Sequence, residues 1–438
     1  MHSPKEILLE ECGNLQRVLD ETLRFDYGIQ GSQEFYDECQ SRLAFIKSEL
    51  LATADNDHQN LQKNGALLHL FADLLSRVER SSIEQYSWPF VDELKRIALP
   101  LCREATLAGD STPPLFFVLS EAGTAAYAIT PELQRPSCAS RRIHTIRLPR
   151  TLKHFVLLHS ILGHEVCHAM YRCSKHQAAL KDILDRLLLP GSVLATPASA
   201  AAWVYAANAP VAVRQQYPFW QRQIGLTQAN IWTKFSYPNW IEEILCDFVG
   251  ILTFGPSFVA AESNVLYSLD PSGAGLGPLH PPPGCRINYL LNASRLLGFS
   301  TRQFADAGLS SSATELWMRL DGKRQVDPWF DLFSDQTIQN VTAALTNLLQ
   351  PLPPALYQPP EESDLLLFTR QLADSVPPVG FRLDESKAVK CRSVDFRSIL
   401  EAGWIAATKT SLPFSKLNRL CEQGILQQQA VAISLQPP

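Results

Sequence analysis

The chain has 438 residues, a formal net charge of −5, 46 % hydrophobic residues and 19 % charged ones. That balance excludes wholesale disorder and offers no global basic surface for nucleic acid, while a prior of about 100–200 residues per domain allows two to four units. Ten cysteines without the dense spacing of a disulfide scaffold fit a reducing compartment.

The opening MHSPKEILLEECGN holds neither a secretory h-region nor an Arg-rich transit segment, so a cytoplasmic protein is expected. Residues 5–107 read as helices: Leu8, Leu9, Cys12, Leu15, Val18 and Leu19 recur at three- and four-residue steps, and Leu67, Leu68, Leu70, Phe71, Leu74 and Leu75 do likewise. A helical N-terminal region, 1–109, is the first expected segment. After DSTPP at 110–114 the texture changes, and PLFFVLS, TAAYAIT and RRIHTIRLP are short β-rich runs that predict a small sheet.

Helical signal resumes near Leu152 and runs through Tyr171, carrying the segment HEVCH; further helices are expected over Lys175 to Leu189, Pro238 to Phe254 and Arg286 to Leu297. Residues 191–213 are long enough to cross a bilayer, but Pro197, Asn208, Pro210 and many alanines favour a buried helix over a membrane span. Residues 110–300 are expected to form one domain, with an insert at about 176–236 that could wall a cleft. A helical extension over 301–350, a Pro-rich linker over 351–363 (PLPPALYQPPEES) and a C-terminal subdomain over 364–438 complete the expected organisation.

HEVCH is the segment with chemistry in it. Residues four apart on a helix share a face, so His164 and His168 can direct their imidazoles at one metal ion. Glu165 projects beside that point and is the natural general base for a water whose acidity the metal has raised. A catalytic zinc ion needs a third protein ligand and an open position, and WIEEILCDFVG at 240–250 supplies a candidate. Glu243 and Asp247 are four apart on an expected helix: Glu243 can bind the metal while Asp247 accepts the outer N–H of a ligand histidine. Glu242, whose i+4 partner is Cys246, is the poorer match. The competing readings are packed or solvated histidines on one helix and a solvated acidic face on the other.

HEVCH followed by EILCD at 243–247 resembles the HExxH and ExxxD pattern of the gluzincin metallopeptidases. The run from AAYAIT to ILGHEVCHAM looks like the strands and active-site helix of CAAX-prenyl-protease-like and minimal gluzincin domains, and HPPPGCRINYLL at 280–291 is similar to the His-Pro followed by Arg of that group. The resemblance covers about residues 114–297. It implies a predominantly helical α+β fold with a zincin-like core, in which a small β-sheet packs on the active-site helices, and a Zn2+ cofactor. It further implies that RRIHTIRLP is an edge strand to which an extended protein or peptide substrate adds, and that His280 or Arg286 stabilises the oxyanion, with Tyr289 a lesser candidate.

A zinc metallopeptidase with a narrow protein target is the function expected. The alternatives are a catalytically silent zincin scaffold that binds a regulatory partner through its N- or C-terminal regions, and a zinc hydrolase of a non-peptide amide or ester. A structural zinc site drawn from Cys167, Cys173, His168 or His176 is a further reading, weakened by the absence of paired C-x-x-C spacing. No nucleic-acid partner is expected.

Overall fold

The computed structural model describes residues 3–22, 30–79, 86–105, 111–121, 127–132, 139–188, 237–271, 280–324, 335–383 and 389–435. These residues are mostly helical, with one three-stranded sheet and two two-stranded ladders. The stretch 191–213 and most of the expected insert lie outside them. No helix among the described residues is long and apolar enough to cross a membrane.

The chain divides into two compact units: Met1–Tyr86 with Cys102–Lys153 and Arg172–Lys175, and Ser87–Leu101 with His154–Tyr171 and His176–Pro438. This differs from the expected segments. The shift of texture near residue 110 marks a change of secondary structure, not a domain boundary. In the first unit, helices α1 (Pro4–Thr22), α2 (Gln30–Ala52) and α3 (His58–Glu79) turn Leu19, Phe35, Leu43, Leu50 and Leu68 into one core with Leu115, Phe117 and Ile143 of the sheet. An amphipathic helix must bury its apolar stripe, and the sheet face is the surface that receives it. Buried Arg42 on α2 closes the assembly, donating to Glu38 at 2.9 Å and to Glu132 at 2.7 Å. Helix α4 (Trp88–Leu101) belongs to the second unit.

A two-residue ladder, β1 (Glu104–Ala105) with β2 (Ser111–Thr112), precedes β3 (Leu115–Glu121), β4 (Ala128–Pro131) and β5 (Ile143–Pro149), which match the three β-rich runs. Their order is β3-β5-β4, with β5 parallel to β3 and antiparallel to β4. The strand within RRIHTIRLP is therefore central: β3 and β4 occupy both of its hydrogen-bonding edges, and it has none left for a substrate strand. This corrects the edge-strand expectation.

In the second unit the helix expected from Leu152 is broken into α5 (Val156–His159) and α6 (Leu162–Cys173), whose last residues, from Arg172, are counted with the first unit. At the break, Gly163 N bonds to Ser160 O and His164 N to Ile161 O, a tighter winding than the α-helix, and the Ser160 hydroxyl bonds back to Leu157 O. Helices α7 (Gln177–Leu188), α8 (Tyr237–Phe254), α9 (Pro256–Leu269) and α10 (Pro283–Leu296) follow. Between α8 and α9, Gly255 takes φ +60°, and a Cβ there would stand 2.5 Å from the Tyr357 ring. The chain thereby reverses over a single residue, and Pro256 starts the next helix where its missing N–H costs nothing.

Helices α11 (Ala307–Asp321), α12 (Asp335–Leu349), α13 (Glu362–Ala373), α14 (Phe396–Lys409) and α15 (Phe414–Ser434) complete the unit, with a ladder of β6 (Phe381–Leu383) and β7 (Val389–Cys391). The Pro-rich stretch before α13 is not a linker. Ala355 and Tyr357 are buried in the same unit, Tyr357 N bonds to Leu252 O at 2.7 Å, and the Tyr357 hydroxyl donates to Glu401. Its prolines shape a packed turn.

Candidate metal centre

Two helices meet where neither has a side chain. A Cβ on Gly163 would lie 2.7 Å from Thr253 Oγ1, 2.8 Å from the Phe254 ring and 3.2 Å from Gly250 Cα. Gly163 immediately precedes His164 and Gly250 lies three residues after Asp247, so this close crossing brings the histidine face of α6 onto the acidic face of α8.

The donor atoms converge there. His164 Nε2 lies 3.1 Å from His168 Nε2, and the Glu243 carboxylate approaches both, with Oε2 3.2 Å from His164 Nε2 and Oε1 3.3 Å from His168 Nε2. The outer nitrogen of each ring has its own carboxylate: His164 Nδ1 stands 2.8 Å from Asp247 Oδ1, and His168 Nδ1 stands 2.9 Å from Glu242 Oε1. Cys246 Sγ is 3.5 Å from His168 Nδ1. The group His164, His168 and Cys246 could hold a metal ion, one donor atom from each lying within 4.8 Å of the others. The Glu243 oxygens lie closer to both Nε2 atoms than that limit and add a second possible third ligand.

Burial alone would strip charge from these groups, yet the outcome depends on their partners. Burial works against a charge on His164, but hydrogen bonds to Asp247 and Glu243 overcome it and raise its pKa well above the ordinary range. His168, opposed in the same way by burial and supported by Glu242 and Glu243, is pushed up to about 9. Glu243 is held far below the usual carboxylate range by the two histidines, against its own burial. The site favours positive charge at the point between the imidazoles.

Beneath His164 lies a buried charge network. Arg286 donates from Nε to Asp247 Oδ2 at 2.8 Å and from Nη2 to Asp247 Oδ1 at 2.6 Å, and Nη2 also lies 2.8 Å from Glu262 Oε1. Asp247 is 1 % exposed, Glu262 4 % and Arg286 5 %. Arg286 is thus held by Asp247 and Glu262, with its Nη1 3.8 Å from Glu243 Oε2. Tyr289 is buried on α10. His280 is different: its side chain is 62 % exposed and its Nε2 lies 3.8 Å from Glu243 Oε1. Glu165, half-buried, has no hydrogen bond or ion pair among the described residues.

The structure thus brings together His164, His168, Glu243 and Asp247, with the exposed His280 3.8 Å from Glu243; Glu165 follows His164 on α6. Sequence reasoning weighed Glu242 and set it aside, and did not reach Glu262. Glu242 could have been found from its neighbour: two histidines one turn apart need two outer partners, and WIEEILCD carries two adjacent i,i+4 pairs. Glu262 stands in no helical spacing to the motif and is brought in by packing of α9 alone. The metal-capable group includes neither Cys167, Cys173 nor His176; the Cys173 thiol is engaged elsewhere, 3.8 Å from Glu132 O.

No protein-family model, no curated protein and no solved structure matches the chain.

Proposed function

We propose that the chain is a zinc metallopeptidase built on a zincin-like core, its metal held by His164 Nε2, His168 Nε2 and the Glu243 carboxylate. The observation that carries this reading is the spacing of the two Nε2 atoms, 3.1 Å apart, each 3.2–3.3 Å from one oxygen of the Glu243 carboxylate. Ligands about 2.0–2.2 Å from a tetrahedral zinc ion stand roughly 3.2–3.6 Å apart, close to the separations of the two imidazole nitrogens and the carboxylate. Two imidazoles and a carboxylate suit borderline zinc better than a hard calcium or magnesium ion. A bound zinc ion would supply Lewis acidity toward a carbonyl and lower the pKa of water.

The remaining work falls to the chain itself. Glu165, next to a ligand and without a hydrogen bond or ion pair among the described residues, takes the proton of the attacking water and delivers it to the leaving amine. Asp247 and Glu242 fix the two ring orientations by holding the Nδ1 hydrogens, which leaves each Nε2 lone pair for the metal. His280, on the solvent side of Glu243, is the donor positioned for the developing oxyanion. A protein or peptide substrate with a narrow target fits the extra mass of the helical N- and C-terminal regions.

Glu165→Gln should keep the metal and lower turnover by about 10²–10⁴-fold. New protein termini in cells producing the wild-type chain, absent with Glu165→Gln, would identify the substrate; termini that persist with the variant would sink the peptidase reading.

A second reading rests on the 3.5 Å approach of Cys246 Sγ to His168 Nδ1: a closed structural site on His164, His168 and Cys246. It is the weaker one, because the Nδ1 edge of His168 is already taken by Glu242, whereas both Nε2 atoms face Glu243. Zinc binding retained in Cys246→Ala and lost in Glu243→Ala decides for the catalytic site, and the reverse pattern decides against it.

A further inference from the structure

We propose that the second unit carries a binding site for a small, uncharged aromatic alcohol of the phenol type, in a cavity where α11 and α14 face the segment between α10 and α11. None of the candidate metal ligands lines it, and the inference stands apart from the metallopeptidase reading. The cavity encloses about 380 Å³, counting the part open to solvent, and Phe299, Arg302, Phe304, Ala313, Trp317 and Glu401 are among the residues around it.

Two opposite charges line this space without satisfying each other. Arg302 Nη2 donates to Pro360 O and the guanidinium lies 4.9 Å over the Phe304 ring, but the buried Nη1 has no hydrogen-bond partner among the described residues. The Glu401 side chain is 6 % exposed, and its Oε2 accepts from the Tyr357 hydroxyl. The other oxygen, Oε1, stands 3.9 Å from Arg302 Nη1, beyond hydrogen-bond reach. Pro360 and Tyr357 tether the two side chains on either side of that gap.

A buried N–H without an acceptor costs free energy, and the group that removes the cost must accept from Arg302 and can donate to Glu401. A hydroxyl does both from one atom and can lie about 2.8 Å from each partner. A carboxamide presents its donor and acceptor side by side and suits partners closer together than these. Charge selects further. An anion drawn to Arg302 is opposed by Glu401, and a cation drawn to Glu401 is opposed by Arg302. The walls determine what carries the hydroxyl: Phe299, Phe304 and Trp317 are three aromatic side chains against which a six-membered ring gains ring contacts and apolar burial. A hydroxyl borne directly on that ring is also a stronger donor toward a carboxylate than one on an alkyl chain.

The test is a titration of the full-length protein with phenol, followed by ligand-observed NMR, with fluorobenzene, benzoate and benzylamine as probes of similar size. Phenol should bind with a Kd below about 10 mM and at least about tenfold more tightly than fluorobenzene, the factor that a hydrogen bond to a charged group supplies. It should also bind more tightly than either charged probe. Arg302→Met should abolish the preference for phenol over fluorobenzene. Ala313→Leu, which enlarges a buried side chain on the cavity wall, should weaken phenol binding at least about tenfold. If these variants do not fold, Thr314→Phe at an exposed lining position takes their place and should weaken phenol binding at least about threefold.

No phenol binding within about 10 mM, equal binding of phenol and fluorobenzene, or tighter binding of benzoate or benzylamine overturns the proposal. Wild-type phenol affinity in a folded Ala313→Leu or Thr314→Phe variant places the phenol elsewhere and overturns it as well. None of these outcomes bears on zinc binding by His164 and His168.

Discussion

Two buried histidines in this molecule have opposite electrostatic fates. His144, on the central strand of the first unit, is 0 % exposed, and neither of its ring nitrogens has a hydrogen-bond partner among the described residues; the Phe116 ring lies edge-on at 5.4 Å. Burial pushes its pKa down to about 4. His164, on α6 of the second unit, is 4 % exposed and is held above the ordinary range despite that burial. Both have lost water to nearly the same degree. What differs is whether a second element delivers hydrogen-bonding carboxylates: α8 brings Glu243 and Asp247 to His164, whereas at His144 burial outweighs the more distant charges of Arg142 and Glu104. Desolvation determines that an imidazole must respond, and the partners determine in which direction.

The comparison can be broken most severely with acid. Because the folded state depresses the pKa of His144 below its ordinary 6.5, its neutral form stabilises the fold fully above pH 6.5, and that contribution is lost as pH falls from 6.5 through 4. The loss amounts to about 3 kcal/mol. His144→Phe, similar in volume and without a titrating group, should flatten the pH dependence of the denaturation midpoint of the first unit over that window. An unchanged pH profile in the variant would mean that His144 is charged or solvated in the folded protein.

A smaller effect tests the other side. Asp247→Asn keeps the shape beside His164 and removes the carboxylate, and should weaken zinc binding by about 10–100-fold. Glu242→Gln does the same to His168, but this flank is more open: side-chain exposure is 14 % and 17 % for His168 and Glu242, against 5 % and 1 % for His164 and Asp247. Water can replace part of what Glu242 provides, so its variant belongs at the lower end of that range. Equal losses in both variants would show that burial does not set the worth of these partners.

The two histidines also show what a sequence can disclose. His164, His168, Glu243 and Asp247 were legible because each pair is tied by one helical turn, a local relation that folding cannot rearrange. Glu262 had no such relation to the motif, and its place beneath Arg286 comes from the Gly255 reversal between α8 and α9. The strands were legible as strands for the same local reason, but their order was not: whether β5 lies at an edge or in the centre depends on which strands pair with it across the chain. Proline content misled for a related cause. Composition around Tyr357 predicts an extended path, and only the tertiary partners Leu252 and Glu401 show that the path is packed.

The glycine crossing of α6 and α8 carries one more consequence, for ion selectivity. Because neither Gly163 nor Gly250 carries a side chain, α6 and α8 approach closely beside the donors, with Thr253 and Phe254 filling the space next to Gly163. A methyl group at Gly163 is then a wedge. In Gly163→Ala the helices must part to relieve contacts of 2.7–2.8 Å with Thr253 and Phe254, at a cost of about 1–3 kcal/mol. The widened aperture should favour a larger divalent ion, so the ratio of cadmium to zinc affinity should rise in the variant without any ligand being altered.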